Sequence, residues 1–294
     1  MKSPFDLKNY RIESPTPSFN VSKRSTLEVQ DKKEMKALVR ANKAATAPLQ
    51  KALYAEATKS ILFVFQAMDA AGKDSTIEKV FSGINPQGFE CSSFKKPTTH
   101  EQAHDYLWRV HKRVPAKGNI GIFNRSHYEE VLVTKVYPEF IMYQNLPGVN
   151  DLKKVNAAFW NKRYSALNAF EEQLEATGTK VVKFFLNVSK EEQKRRLYSR
   201  MDTPEKNWKV NIGDTLERAH WEKYQEAYTS AIKKTATKKS PWYVIPADDK
   251  WTMRALVSSI VLHEMKRIKP QFPGFSDKNR KEMTQARKIL NGEK

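Results

Sequence analysis

An apolar run, Ile61 to Ala67 (ILFVFQA), breaks into a loop of small residues and then, from Lys73, into a helical pattern. Strand, Gly-Lys loop and helix in that order constrain the backbone strongly. The loop N–H groups and the first helical turn converge on one point, where the helix dipole also favours negative charge. The stretch reads as a phosphate cradle built from Ala70, Ala71, Gly72, Asp74, Ser75 and Thr76, with Lys73 as a mobile cation. It meets the pattern GxxxxGK[ST] imperfectly, because Ala67 stands at the first glycine and Asp74 at the Ser/Thr position. Alanine disfavours positive φ by roughly 1 kcal/mol, so Ala67 is expected in an ordinary backbone region. Without a hydroxyl next to Lys73 any metal site must be rearranged, with Asp69, Asp74, Ser75 and Thr76 as the nearby oxygen donors. The same pattern also fits a plain strand-to-helix turn with an incidental Gly-Lys.

At 294 residues and 39% hydrophobic composition the chain can bury a sizeable core, which suits one α/β domain. Strands are expected near 61–66, 88–94, 119–124, 180–187 and 242–246, with helices near 73–83, 99–113, 155–176, 189–201, 213–235 and 250–268. That alternation implies a parallel sheet covered on both faces. A further helix is expected over Lys32 to Thr58, with Met35, Leu38, Val39, Ala45, Leu49 and Leu53 as its apolar members, and the arm before it is expected to pack on the core. The helix at 155–176 carries Phe159, Trp160, Leu167, Phe170 and Leu174, which can pair subunits or cover the sheet; a homo-oligomer is the expected assembly. No apolar run reaches a membrane span and the N-terminus lacks an apolar signal region, so a cytoplasmic protein is expected. The single cysteine, Cys91, fits a reducing compartment and leaves no cysteine metal cluster.

Charge narrows the partners. Lys and Arg number 52 against 33 Asp and Glu, a formal net charge of +19, and such a field favours polyanions. Neither zinc-finger spacing, nor an RNA-binding aromatic signature, nor a basic region with heptads is present, so nucleic acid is not expected. A polymer of phosphate satisfies the same electrostatics. Part of the charge, above all the tail from Asp277 to Lys294, reads as solvated surface.

In open parallel sheets ligands bind beyond the carboxyl ends of the strands. After the 119–124 strand come Asn124, Arg125, Ser126, His127, Tyr128, Glu129 and Glu130, beside the Lys73 loop. Asn124 occupies a place where an acidic magnesium ligand is usual, and Ser126 with Glu129 can form a capping box. A second basic cluster runs from Ser189 to Tyr224: a capped helix with Arg195, Arg196 and Arg200, a stop at Pro204, then Lys206, Trp208 and Lys209 before a second helix capped by Asp214 or Thr215. Two helices meeting at a basic, aromatic hinge can form a lid over phosphate or a solvated hairpin. His100 and His104, spaced i, i+4, lack the intervening glutamate of an HExxH zinc site, and no metal role is assigned to them.

Taken together, the segments MDAAGKDSTI (68–77), FKKPTTHEQAHDYLWR (94–109), GIFNRSHYEEVLV (121–133), DTPEKNWK (202–209) and PWYVIPADDKW (241–251) resemble polyphosphate kinase family 2. The resemblance spans about residues 30 to 268 and implies a P-loop three-layer α/β/α sandwich similar to thymidylate kinase, with a helical lid. Its units would be an N-terminal arm and helix (1–58), a core (59–188 and 236–268), a lid region (189–235) and a basic tail (269–294), all in one kinase domain. It also implies phosphate transfer between inorganic polyphosphate and nucleotides with Mg2+. Asp69, Lys73, Arg125 and Arg196 would be the catalytic residues and Asp69 the metal ligand. Polyphosphate would meet residues 70–76 with Arg195, Arg200, Lys206 and Lys209; the nucleotide would meet Lys96, Asn124, Arg125, Tyr128 and Glu129. The wording NRSHYEEV resembles the subgroup that phosphorylates both AMP and ADP, whereas ADP-directed members read DRSWYNR there. Asn124 and Glu129 would let acceptors of two lengths reach one transfer position. The expected mechanism is direct in-line transfer, with no phosphohistidine and no strong general base, because the acceptor oxygen is already anionic. An ATP-dependent kinase on the same fold and a non-catalytic polyanion binder are the competing classes.

Overall fold

The computed structural model describes residues 3–293. Six strands form the sheet: β1 (Arg11–Ile12), β2 (Ser60–Ala67), β3 (Phe89–Ser93), β4 (Ile120–Asn124), β5 (Thr179–Asn187) and β6 (Trp242–Pro246). The helices are α1 (Lys32–Glu56), α2 (Lys73–Phe81), α3 (Thr99–Gln102), α4 (Trp108–His111), α5 (Val133–Val136), α6 (Ala157–Ala176), α7 (Lys190–Met201), α8 (Ile212–Leu216), α9 (Trp221–Thr235), α10 (Lys250–Arg267) and α11 (Asp277–Gly292).

The strand order is β1-β6-β5-β2-β4-β3, with β2 to β6 parallel and β1 antiparallel on β6. All of β2 is buried, as a strand covered on two faces should be. One face carries a run of phenylalanines, Phe65 stacking on Phe184 at 4.7 Å and meeting Phe81 of α2 edge-on at 6.3 Å; α1 packs on α10 and α10 on α2. The other face packs on α6 and α9, with Phe185 against Tyr228 at 4.2 Å. This is the α/β architecture expected from the chain, a mostly parallel central sheet with helices on both faces. Because β2, β4, β5 and β6 run the same way, Ala67, Asn124, Asn187 and Pro246 all end at one edge of the sheet, and the residues after them share that edge.

Several local expectations need correction. The helix expected at 99–113 is two short turns, α3 and α4, because Asp105 turns its carboxylate onto the Leu107 N–H at 2.8 Å and interrupts the ladder. That expected at 213–235 is α8, a 3-10 turn over Glu217–His220, and α9; its cap is Asn211, neither Asp214 nor Thr215. Ala45 is exposed on α1, while Asn42, Thr46 and Gln50 are buried, satisfied by partners such as Ser258 at 2.9 Å and Asn85 at 2.9 Å. On α6, Leu167, Phe170 and Leu174 cover the sheet, with Phe159 and Trp160 half-buried. The basic tail contains α11, capped by Ser276 and exposed along its length. β1 lies in an arm with no sequence periodicity to announce it; the arm does pack on the core, through Phe5 and Val21. Among the described residues no helix is long and apolar enough to cross a membrane.

A polar node sits beneath the sheet edge. Lys183, wholly buried on β5, donates to Glu171 of α6 at 2.5 Å, to Tyr128 at 3.2 Å and to the Thr235 carbonyl at 2.8 Å; His127 also meets Glu171, at 3.2 Å. Burial opposes charge on Glu171, but the Lys183 ammonium and His127 hold its carboxyl below the ordinary range. Removing one partner leaves the other charge buried and alone, so Lys183→Met is expected to cost about 3–5 kcal/mol. Urea denaturation is the check; a midpoint matching the parent protein would show that the pair is not needed for stability.

Candidate functional site

The turn after β2 is built on two left-handed residues, Ala70 (φ 60°) and Gly72 (φ 103°). Ala67 therefore keeps a strand conformation, as expected, and the strain sits three residues further on. A Cβ on Gly72 would make ordinary contacts with the Met253 Cε at 3.4 Å and the Arg196 guanidinium at 3.6 Å, so it is the positive φ that calls for glycine. Lys73 opens α2, and its ammonium rests on the Ala67 carbonyl at 2.8 Å. Burial pushes this lysine's pKa down and Arg125 adds to the effect, against the pull of Asp69, Glu129 and Asp74.

Facing the turn is the end of β4. Arg125 also has positive φ (62°), and its N–H extends the ladder by bonding the Phe65 carbonyl at 3.0 Å. Its guanidinium pairs with the Asp69 carboxylate at 2.9 Å. Asn124 donates to Asp74 at 2.7 Å, so the amide holds the carboxylate that stands at the usual hydroxyl position. Ser126 accepts from the Tyr128 N–H at 3.1 Å, while Glu129 turns into a small cavity lined by Asp69, Arg125, Leu132, Tyr224 and Tyr228. Ser126 thus caps the turn, as expected, but the capping box with Glu129 does not form: neither of its two bonds is made. Burial raises the Glu129 carboxyl pKa, opposed by Arg125 and Lys73.

These residues open on a basin of about 710 Å3. Of the expected ligand residues it brings together Asp69, Ala70, Ala71, Gly72, Lys73, Asp74, Ser75, Lys96, Asn124, Arg125, Arg196, Arg200, Lys206 and Lys209. Trp208, 79% exposed, stands at the rim with the Lys209 ammonium 4.8 Å from its ring, whereas Trp221 is a buried packing residue.

Besides Glu129, which lines the small cavity and not the basin, four expected ligand residues are elsewhere or otherwise engaged. Tyr128 is fully buried and its hydroxyl donates to Glu171 at 2.7 Å, so it anchors its loop from below instead of facing a nucleotide. Thr76 points inward toward the Met253 sulfur at 3.9 Å. Arg195 lies outside the basin on the exposed face of α7, forked onto Glu192 at 2.6 Å. Arg196 does reach the basin wall, but its donors go to protein oxygens: the carbonyls of Ala71 (2.6 Å), Ala70 (3.3 Å), Ala247 (2.6 Å) and Asp248 (3.0 Å), and Glu192 (2.6 Å). It holds the loop rather than facing a ligand. The i, i+4 spacing showed that Arg196 and Arg200 share a face of α7, but it carried no information about which oxygens each would find.

The basin also contains Lys95, Asp214, Lys250 and Arg254, which the sequence reading had not assigned to ligand binding. Asp214 pairs with Arg200 at 2.8 Å, and burial together with nearby Asp69 raises its carboxyl pKa. Lys250 and Arg254, four apart and just beyond β6, carry the same strand-end signal that had singled out Asn124 and Arg125. His100 and His104 pack with Trp108, His104 stacking on it at 4.0 Å.

A family model described as Polyphosphate kinase 2 matches residues 29–273. An "AMP/ADP-polyphosphate phosphotransferase" of Meiothermus ruber is 48% identical over 76% of this chain and 79% of its own. An "ADP-polyphosphate phosphotransferase" of Rhodopseudomonas palustris is 45% identical over 82% and 83%. The crystal structure of polyphosphate kinase 2 from Arthrobacter aurescens TC1 superposes with a TM-score of 0.83 at 36% identity, covering 97% of each chain.

The loop geometry yields a stability test. Gly72→Ala is expected to cost about 1 kcal/mol or more, because alanine at that positive φ is strained. Thermal unfolding of the variant measures it, and an unchanged transition would mean that the loop relaxes freely.

Proposed function

Since this chain belongs to the polyphosphate kinase 2 family, we propose that it transfers phosphate between inorganic polyphosphate and nucleotides, taking AMP to ADP and ADP to ATP reversibly. The observation that carries this reading is the basin itself: loop amides and Lys73 on one wall, Arg125 and Lys96 opposite, and a lid with Arg200, Lys206 and Lys209 above. A binder of polyanions has no need for Asp69 and Asp74 inside such a cradle, whereas a phosphotransferase does.

The chemistry asks little covalent work of the protein. In a loose transition state charge spreads over the equatorial oxygens of the transferring group, so alignment and positive charge supply most of the rate. The loop amides and Lys73 hold the transferring end of the donor. To do so Lys73 exchanges the Ala67 carbonyl for phosphate oxygen, a short swing of an ammonium whose burial already favours an anionic partner. Arg125, aligned by Asp69, clamps the acceptor phosphate. Arg196 keeps the loop in register, and Arg200 gains phosphate as it leaves Asp214 when the lid closes. Water is excluded by the same closure.

The oxygen donors in the basin suit Mg2+: Asp69, with Asp74 close by, gives the one or two carboxylates that this ion commonly takes alongside substrate phosphates. Held there by Asp69 and Asp74, the ion would supply positive charge that offsets the charge of the transferring phosphate.

The two curated relatives differ in the acceptors their names give, ADP in one case and both AMP and ADP in the other. Dual use is the reading favoured here, because Asn124 restrains Asp74 and Glu129 opens a cavity beside Arg125. Purified protein with polyphosphate, Mg2+ and either AMP or ADP is expected to give ADP and ATP, with Lys73→Ala reducing turnover by at least about 10³-fold. Formation of product only when ATP is the donor would turn the assignment to an ATP-dependent kinase. Asn124→Asp sets a second carboxylate against Asp74 and is expected to change the AMP-to-ADP rate ratio by roughly tenfold. An unaltered ratio would remove Asn124 from acceptor selection.

A further inference from the structure

Over residues 20–30 the arm that precedes α1 crosses the carboxyl edge of the sheet, the edge on which the basin opens. Asn187, the last residue of β5 and buried, donates to the carbonyls of Arg24 and Ser25 at 3.1 and 3.3 Å. The Thr26 carbonyl accepts from the Asp248 N–H at 2.9 Å, and the Gln30 N–H donates to the Thr252 hydroxyl of α10 at 3.1 Å. Its first residues lie on α9: the Val21 N–H donates to the Thr229 hydroxyl at 3.2 Å, and Ser22 donates to Gln225 at 3.4 Å. Backbone with no regular structure is thereby bonded to β5, α9, α10 and the turn after β6, which accounts for its polar groups and fixes its course. Asp248 carries this anchorage to the site. Its N–H meets the arm and its carboxylate accepts from the Ser189 N–H at the start of α7, at 2.8 Å. Its carbonyl accepts at 3.0 Å from Arg196, the residue that also holds the carbonyls of Ala70 and Ala71. Since α7 leads into the lid and α9 leads out of it, the arm is tied to both roots of the lid and, through Asp248 and Arg196, to the phosphate-cradling turn. Between the roots lies the stretch that exposes Trp208, Ile212 and Leu216.

We propose that residues 20–30 are a positioning strap for phosphoryl transfer: the segment fixes the roots of α7 and α9, confines lid movement to residues 202–220, and through Asp248 keeps Arg196 on the loop carbonyls. Asn187 and Thr252 are its positioning residues, for they touch the strap and do not line the basin. The strap rests on the phosphate-transfer reading above and adds to it a requirement that lies mostly outside the residues common to the family, which begin at 29. When the strap is loosened the two roots shift and the lid closes imperfectly, so water competes with the acceptor. A water oxygen then attacks the terminal phosphorus of the donor, the phosphoanhydride bond breaks, and the water proton passes to solvent. Orthophosphate and a chain shorter by one phosphate leave, with no ADP formed.

The test uses the full-length protein with long-chain polyphosphate, Mg2+ and AMP, and measures ADP and orthophosphate together. Thr252→Val keeps the shape of a buried side chain and removes only the hydroxyl that receives Gln30, while Asn187→Leu removes the donor that holds Arg24 and Ser25. Each is expected to lower kcat roughly threefold to tenfold, to leave the KM for AMP within about twofold, and to raise the orthophosphate-to-ADP ratio by at least about threefold. Hydrogen exchange of the α7 and α9 amides is expected to quicken in both variants. A merely structural contact would reduce activity in step with the unfolded fraction and leave the product ratio alone. An unchanged product ratio in Thr252→Val, whether or not kcat falls, would therefore overturn the strap, and this variant decides the matter if Asn187→Leu does not fold. If the unaltered protein makes no ADP from polyphosphate, the functional reading falls instead; parent-like exchange in α7 and α9 of Thr252→Val would then overturn the strap separately.

Discussion

Arg196 directs its guanidinium onto the carbonyls of Ala70, Ala71, Ala247 and Asp248, and that set of bonds ties together the turn after β2, the end of β6 and the lid-bearing helix α7. Glu192, four residues earlier, completes the planar fork from below. A turn made of alanines and one glycine has no side chains with which to brace itself, and two of its residues occupy left-handed conformations. Its shape is therefore imposed from outside, by a bidentate donor that only arginine supplies. The consequences spread outward: the loop amides converge because the carbonyls beside them are held, Lys73 begins α2 at a fixed place, and Asp69 meets Arg125.

Much of this architecture could be read before any coordinates. The five parallel strands fall where expected; β2, β4, β5 and β6 are apolar runs, whose aromatic and β-branched residues bounded by turns leave little freedom, whereas β3, FECSS, is mostly polar. The phosphate-cradling loop, Arg125 and the Lys206–Lys209 hinge follow from strand ends and the basic cluster, and the structure joins them in one basin. Three things were not legible. β1 is two residues long and owes its existence to pairing with Trp242 and Tyr243, a contact more than 200 positions away in sequence. Tyr128 looks from its neighbours like a site residue, but Glu171 and Lys183 claim its hydroxyl, and neither partner is local. For α7, spacing shows that the arginines can share a face but cannot divide them into the one that grips the loop and the one that meets Asp214.

Electrostatics in the basin are less uniform than a net charge of +19 suggests. Arg125 and Arg200 each have a carboxylate, Asp69 and Asp214, that holds them in the absence of phosphate. Among the described residues Lys73 has only a backbone oxygen, and Lys250 and Arg254 have no such partner. Among the described residues the basin's cations thus divide into a restrained set held by carboxylates and an unrestrained set, to which Lys96, Lys206 and Lys209, without an ion pair, also belong. A polyanion can be drawn in by the second set before it competes for the first, an order of events that the charge total alone does not contain.

The arm that precedes α1 lies almost wholly outside the region common to the family, which begins at residue 29, yet it lays β1 along β6 and is tied down by Asn187, whose amide bonds the carbonyls of Arg24 and Ser25 at 3.1 and 3.3 Å. β6 is buried along its whole length. Stripped of that cover it would present an unpaired row of backbone donors and acceptors flanked by Trp242 and Tyr243, the kind of margin along which identical molecules stack into aggregates. The arm's short strand thereby covers the stretch of β6 at Trp242 and Tyr243 that would otherwise stand open to another chain.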